Sequence, residues 1–233
     1  MKLSEANRPL RVFDKVMQGG LGAGNIGVLM ARVGTGKIGV MTCIAIDHAI
    51  NQRHVLHVSL GKSVEDVRVY HDEVLHEFMS QLDPGERPGL LTRVERHKQI
   101  YSYRDGSFSI ERLRDTLKML ADHAEFKPEL IDIQGWPDFT ETNEDELRGL
   151  KEVAREFRAE IWVTAHTHRE DAVKDDRGVP DYIQRFENMI DVLVALEPNQ
   201  ETVHIKFLKT HDQPPATGIN LEFDPGTQLI RWR

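Results

Sequence analysis

The residues best placed to do chemistry lie in Ile26-Gly27-Val28-Leu29-Met30-Ala31-Arg32-Val33-Gly34-Thr35-Gly36-Lys37-Ile38-Gly39. An apolar run leads into a glycine-rich turn, a lysine and a helical pattern, the order of a phosphate-binding loop. Glycines let successive backbone N–H groups curl round phosphate oxygens, the helix N-terminus adds its positive end, and Lys37 can bridge terminal phosphates. The candidate anion-binding residues are therefore Arg32, Val33, Gly34, Thr35, Gly36, Lys37, Ile38 and Gly39. Such a loop normally continues G-K-[ST], because the hydroxyl ligates Mg²⁺; here that position is Ile38, whose side chain has no donor atom. The string also fits a tight strand-to-helix turn that needs glycine for steric reasons alone.

Other constellations are weaker. The chain has 11 histidines, and His166-Thr167-His168 sets two on one side of an extended segment, but no carboxylate or thiol follows at ligand spacing. Strand-end and surface histidines are the plainer reading, and no metal site is expected. His54 and His57 flank or lie in a strand and read as structural or solvent-facing. Arg93 to Arg104 mixes basic residues with Tyr101 and Tyr103, a mixture able to contact phosphates and stack bases. A charged helix leading into an exposed strand or loop is the simpler account. Trp136 and Trp162 read as core or site-wall aromatics, and Trp232 as a cover for the sheet edge. No nucleophilic triad has a signature.

The elements that must position these residues follow from periodicity. Short apolar runs at 26–31, 55–59, 130–133, 161–164, 192–196 and 203–208 alternate with helical patterns at 37–51, 63–81, 109–125 and 143–158, the signature of βαβ units. A closing strand pair at 219–223 and 228–232 flanks the turn Asp224-Pro225-Gly226-Thr227. Loops are expected at 84–89 and at 171–180, the second mobile because it is rich in charge and glycine. The whole, 1–233, reads as one α/β domain behind a tail at 1–10. With 30 Lys+Arg against 38 Asp+Glu the net charge is −8, which argues against nonspecific coating of nucleic acid. The longest apolar run is far short of the roughly 18 residues of a membrane span, Met1-Lys2-Leu3-Ser4-Glu5 has no signal-peptide core, and Cys43 is a lone, packing cysteine. A cytoplasmic location without membrane contact is the expectation.

Four further segments frame the glycine loop. Phe13-Asp14-Lys15-Val16-Met17-Gln18-Gly19-Gly20-Leu21-Gly22-Ala23-Gly24 precedes the first strand. Val55-Leu56-His57-Val58-Ser59-Leu60-Gly61-Lys62-Ser63-Val64-Glu65-Asp66-Val67 and Lys127-Pro128-Glu129-Leu130-Ile131-Asp132-Ile133-Gln134-Gly135-Trp136 follow. Then come Ile161-Trp162-Val163-Thr164-Ala165-His166-Thr167-His168-Arg169 and Lys206-Phe207-Leu208-Lys209-Thr210-His211-Asp212. Over 11–233 the chain resembles the RecA-like P-loop ATPases, in the branch of DnaB-type helicases and KaiC-like clock ATPases. The corresponding family patterns are L-D-x-x-x-G-G-L-x-x-G, V-L-x-x-S-L-E-x-S-x-E-D-V, K-P-D-L-I-V-I-D-G-W, W-V-T-S-Q-T-x-R and K-x-R. The resemblance implies a three-layer α/β/α sandwich, with a mostly parallel central sheet and a C-terminal antiparallel hairpin.

The departures are selective. The family's water-polarising Glu is Gly61, its Mg²⁺-shell Asp is Gln134, its γ-phosphate sensor is His166, and its arginine finger is His211. Asp132 shares Gln134's strand face but lies about 6.5 Å further back, so it is not expected to substitute. Lys209 is retained, which implies a lysine donated in trans to a neighbouring subunit's site. A finger is worth about 10³–10⁵ in rate and a positioned base about 10²–10⁴, and such factors do not multiply cleanly. The resemblance therefore implies a catalytically degenerate pseudo-ATPase: a homo-oligomeric ring or filament, sensing nucleotide or acting as a scaffold for a protein partner. Its ligand would be ATP or ADP, held weakly, with Mg²⁺ binding weakened. Two alternatives stand beside it: an active ATPase or helicase-like motor in which His166, His168 or His211 serves as base or cationic finger, and a non-hydrolysing nucleic-acid binder using Arg93, Arg96 and Lys98.

Overall fold

The computed structural model describes residues 10–104, 106–136, 139–168, 173–213 and 220–232. In chain order the described elements are α1 (Arg11–Val16), β1 (Ile26–Ala31), α2 (Lys37–Ile50), β2 (Val55–Leu60), α3 (Val64–Ser80), α4 (Leu90–His97), β3 (Lys98–Tyr103) and α5 (Ile110–His123). They continue with β4 (Leu130–Gln134), α6 (Glu144–Phe157), β5 (Glu160–His166), α7 (Asp181–Gln184), β6 (Val192–Asn199), β7 (Thr202–Thr210), β8 (Leu221–Asp224) and β9 (Leu229–Trp232). The helix starts obey local chemistry. Ser63 with Asp66, and Asn143 with Glu146, form reciprocal capping boxes, and the Ser109 hydroxyl accepts from the Arg112 N–H.

All nine strands join one sheet in the order β3-β2-β4-β5-β1-β6-β7-β8-β9. The first six in that order run parallel and the last three are added antiparallel. Successive β1 residues serve opposite faces. Leu29 and Ala31 join a core containing the apolar sides of α2, α3 and α4, while Ile26, Val28 and Met30 join a second core with α5, α6 and α7. Both faces of the parallel strands are thus covered, which is why they read as near-continuous apolar runs. Among the described residues no helix is long and apolar enough to cross a membrane.

Several expectations need correction. The antiparallel part is four strands, β6 to β9, because Gln200 and Glu201 make a two-residue turn between β6 and β7, and so short a link permits only an antiparallel return. The basic run, by contrast, is a charged helix, α4, leading into a strand as the simpler account expected, and that strand, β3, joins the edge of the sheet. Leu10 belongs to the core rather than to a tail; residues 1–9 lie outside the described residues, as do Ile219 of the closing strand and Arg169 to Ala172. The described part of the expected mobile loop is pinned: the Asp175 carboxylate accepts from the Arg177 and Val179 N–H groups, and Arg177 pairs with Glu187. Trp232 sits on the edge strand but stays 68% exposed, so it covers little.

β1 and β5 come together at a glycine. Gly27 pairs in register with Trp162, and a Cβ at Gly27 would meet the indole at 2.5 Å. The Trp162 ring, tilted against Phe13 with centroids 5.8 Å apart, occupies the space that a side chain on β1 would take. Gly27→Ala should cost about 1–3 kcal/mol in urea unfolding with an unchanged m-value, since overpacking a filled core forces neighbours off their rotamers. A smaller loss in a Trp162→Leu background would confirm the indole as the cause; an equal loss in both backgrounds would refute it.

Candidate functional site

At the C-terminal end of β1 the chain turns through 32–36 into α2. Gly34 and Gly36 have φ of +79° and +97°, a region that favours glycine. A Cβ at Gly36 would meet the Phe223 ring at 2.6 Å, and one at Gly39 would overlap the same ring. These glycines therefore answer two demands: positive φ in the loop, and close approach of the aromatic ring from β8. Phe223 is itself fixed beside a clamp, in which the Tyr70 hydroxyl of α3 donates to the Gln228 side-chain oxygen and the Gln228 amide donates to the Pro225 carbonyl.

The Lys37 ammonium folds back onto the loop, donating to the Ala31 carbonyl at 2.7 Å and the Arg32 carbonyl at 2.9 Å. It is 7% exposed, and burial pushes its pKa down from 10.5 to about 8. Among the described residues, the N–H groups of Gly34, Gly36, Lys37, Ile38 and Gly39 have no carbonyl or side-chain acceptor. Five free donors at the start of a 14-residue helix, with no acidic residue in its first turn, concentrate positive potential.

These residues line a cavity of about 470 Å³ with Gln134, Thr164, His166 and Lys62. β5 lies between β1 and β4, so the parallel register delivers His166 and Gln134 beside the glycine loop. The lining contains no Asp or Glu. Ile38 has a hydrocarbon side chain, which offers a metal no ligand. Asp66, which with Ile38 lines a smaller recess of about 120 Å³, is committed to the Ser63 cap, whose hydrogen bonds lower its pKa. Mg²⁺ prefers carboxylate and other hard oxygen ligands, so the residues present do not fit that ion. Among the described residues no group of three or more His, Cys, Asp or Glu side chains is arranged to hold a metal. They do fit a phosphate: free N–H groups, two lysines and an amide, in a pocket without opposing carboxylates.

Behind Gln134 lies a polar cluster that sequence reading missed. His57, on β2, places Nε2 3.1 Å from Gln134 Oε1 and Nδ1 2.9 Å from Asp132 Oδ1. His71, on α3, sets Nε2 3.2 Å from His57 Nδ1, and burial with the nearby His57 and Lys98 charges drives its pKa well below 6.5. His57, His71 and Asp132 are all buried. The one available signal was polarity at 57 and 132 within otherwise apolar strands, which the parallel pairing His57↔Asp132 brings side by side.

Other expected residues fall elsewhere. Arg32 gives its carbonyl to Lys37 but does not line the cavity; Gly61, at φ +92°, flanks it between the lining residues Leu60 and Lys62. The Lys209 ammonium donates to its own chain's Glu187 and Ile190 carbonyls at 2.6 and 2.7 Å, and His211 contacts the Gly20 carbonyl at 3.2 Å. Those contacts engage the Lys209 ammonium within the subunit. Lys98 is buried 2.9 Å from Glu95, so it is not displayed beside Arg93 and Arg96 as a phosphate contact. His54 stacks on Phe126 at 4.4 Å, and His57 proves structural rather than solvent-facing. Cys43 is buried, which raises its thiol pKa to about 12 and leaves it inert.

No protein-family model matches the chain, and no curated protein is significantly similar to it.

The depressed Lys37 pKa has a measurable consequence. Between about 8 and 10.5 the unfolded chain still holds a proton that the folded chain has released, so stability rises with pH across that window. Wild type should gain up to about 3 kcal/mol relative to Lys37→Met between about pH 7 and about pH 10, in paired urea titrations. Parallel profiles for the two proteins would show that the amine is not held in a desolvated site.

Proposed function

We propose that this chain is a catalytically degenerate RecA-like P-loop protein that binds the phosphates of ATP or ADP and acts as a nucleotide sensor or scaffold rather than a motor. The observation that carries the reading is the cavity at the end of β1, where free loop N–H groups, Lys37 and Lys62 converge without a carboxylate. Sheet order supports it as well. The crossover from β1 leads through α2 toward β2, and that from β5 leads through α7 toward β6 on the opposite side, so the loop sits where the strand order reverses, the usual ligand crevice of a doubly wound sheet.

Binding and turnover separate in this arrangement. Loop amides and Lys37 need only charge and geometry to hold an anion. Hydrolysis needs a base aimed at water and stabilisation of the developing charge, worth about 10²–10⁴ and about 10³–10⁵ respectively. Gly61 offers no base, and Gln134 offers an uncharged amide where the family resemblance expects a metal-shell carboxylate. Assembly into a homo-oligomer is part of the proposal, with nucleotide state changing contacts between copies or with a protein partner.

Calorimetry with ATP and ADP, with and without Mg²⁺, should give binding that Lys37→Ala weakens by at least about tenfold, alongside phosphate release at background. No heat at millimolar ligand would leave only the scaffold half of the reading. Steady turnover that vanishes in Lys37→Ala would overturn the pseudo-ATPase in favour of a working enzyme.

A further inference from the structure

The donor set around the cavity is wrong for Mg²⁺ in a way that goes beyond missing ligands. Gln134 is 7% exposed, and its side-chain oxygen faces His57 Nε2 at 3.1 Å. A carbonyl oxygen accepts, so the ring nitrogen donates to it. The other ring nitrogen of His57 lies 2.9 Å from the Asp132 carboxylate and 3.2 Å from His71 Nε2, and all three residues are buried, so the ring is hemmed in on the side away from the cavity. With its oxygen engaged behind the wall, Gln134 is left to present its NH₂ group to the cavity that it lines; that nitrogen has no partner among the described residues. A carboxamide turned in this way is a hydrogen-bond donor at the place where a cation would need an acceptor.

We propose that the site takes a phosphate oxyanion free of divalent metal, that Mg²⁺ antagonises its binding, and that His57 is the positioning residue that turns Gln134 into a donor. This rests on the phosphate-binding reading above and adds the ionic form of the ligand. A bare phosphate meets the loop N–H groups, Lys37, Lys62 and the Gln134 NH₂, each of which favours negative charge. A Mg²⁺-chelated phosphate brings a hydrated dication up to two lysines and an amide hydrogen, with no carboxylate in the lining to offset it. The cavity therefore selects against the chelated form on charge.

The probe is sodium pyrophosphate, titrated calorimetrically into the full chain in metal-free buffer and again in excess MgCl₂. Wild type should bind at least about tenfold more weakly with Mg²⁺. Gln134→Glu, which replaces the donor by a carboxylate, should weaken metal-free binding by about tenfold and reverse the effect of Mg²⁺. His57→Ala releases the amide to rotate and should shrink the Mg²⁺ penalty to less than about threefold, a ratio that a merely structural loss would leave unchanged. Equal or tighter wild-type binding in Mg²⁺, or an unaltered Mg²⁺ ratio in Gln134→Glu, overturns the inference while leaving the phosphate site standing. Absence of pyrophosphate binding in both buffers overturns the phosphate site itself.

Discussion

Lys37 donates to the carbonyls of Ala31 and Arg32, the last residue of β1 and the first of the turn, and the shape of the loop depends on that clasp. Each carbonyl also accepts a backbone N–H, Ala31 from Thr167 and Arg32 from Thr35, so the ammonium uses up their remaining acceptor capacity, while the N–H groups of Gly34, Gly36, Lys37, Ile38 and Gly39 stay without acceptors among the described residues. Burying a lysine is costly, and its depressed pKa records the cost. The loop is consequently polarised, with its acceptors used and its donors open. An anion can complete this arrangement, whereas a cation adds repulsion.

The surroundings reinforce that bias rather than balance it. A neutral amide at 134, a glycine at 61 followed by Lys62, and isoleucine at 38 remove negative charge from the cavity. The buried carboxylate of Asp132 faces His57 behind Gln134 and is not part of the cavity lining. A chain with a net charge of −8 thus keeps its cavity lining free of acids. Overall charge gives no guide to the site, because screened surface carboxylates act over about 8–10 Å at moderate salt while the loop amides act at contact.

The aromatic contacts explain why glycines recur where they do. Gly27 yields to Trp162, and Gly36 and Gly39 yield to Phe223, so both the strand that carries the loop and the helix that follows it are seated against rings from distant parts of the chain. Phe223 belongs to β8, which is why the antiparallel strands matter to the site: they form one wall of the cavity through Val203, Phe223, Pro225 and Gln228.

The alternation of strands and helices, the helix starts at Ser63, Ser109 and Asn143, the closing turn at 224–227 and the glycine loop are legible in the linear chain, because each rests on interactions within a few residues: periodicity, capping and positive φ. The basic run left strand or loop open after its helix, since the burial of Lys98 beside Glu95 is not visible in a hydropathy pattern. Which strands lie side by side, and so which polar groups meet, depends on long-range pairing across the sheet. His57, His71, Asp132 and Gln134 come from β2, α3 and β4, and their grouping depends on parallel register across that stretch of chain. Whether Gln134 is merely a lost carboxylate or a donor aimed at an anion turns on the acceptor and donor that face it, a property of distances between strands that a linear sequence does not contain.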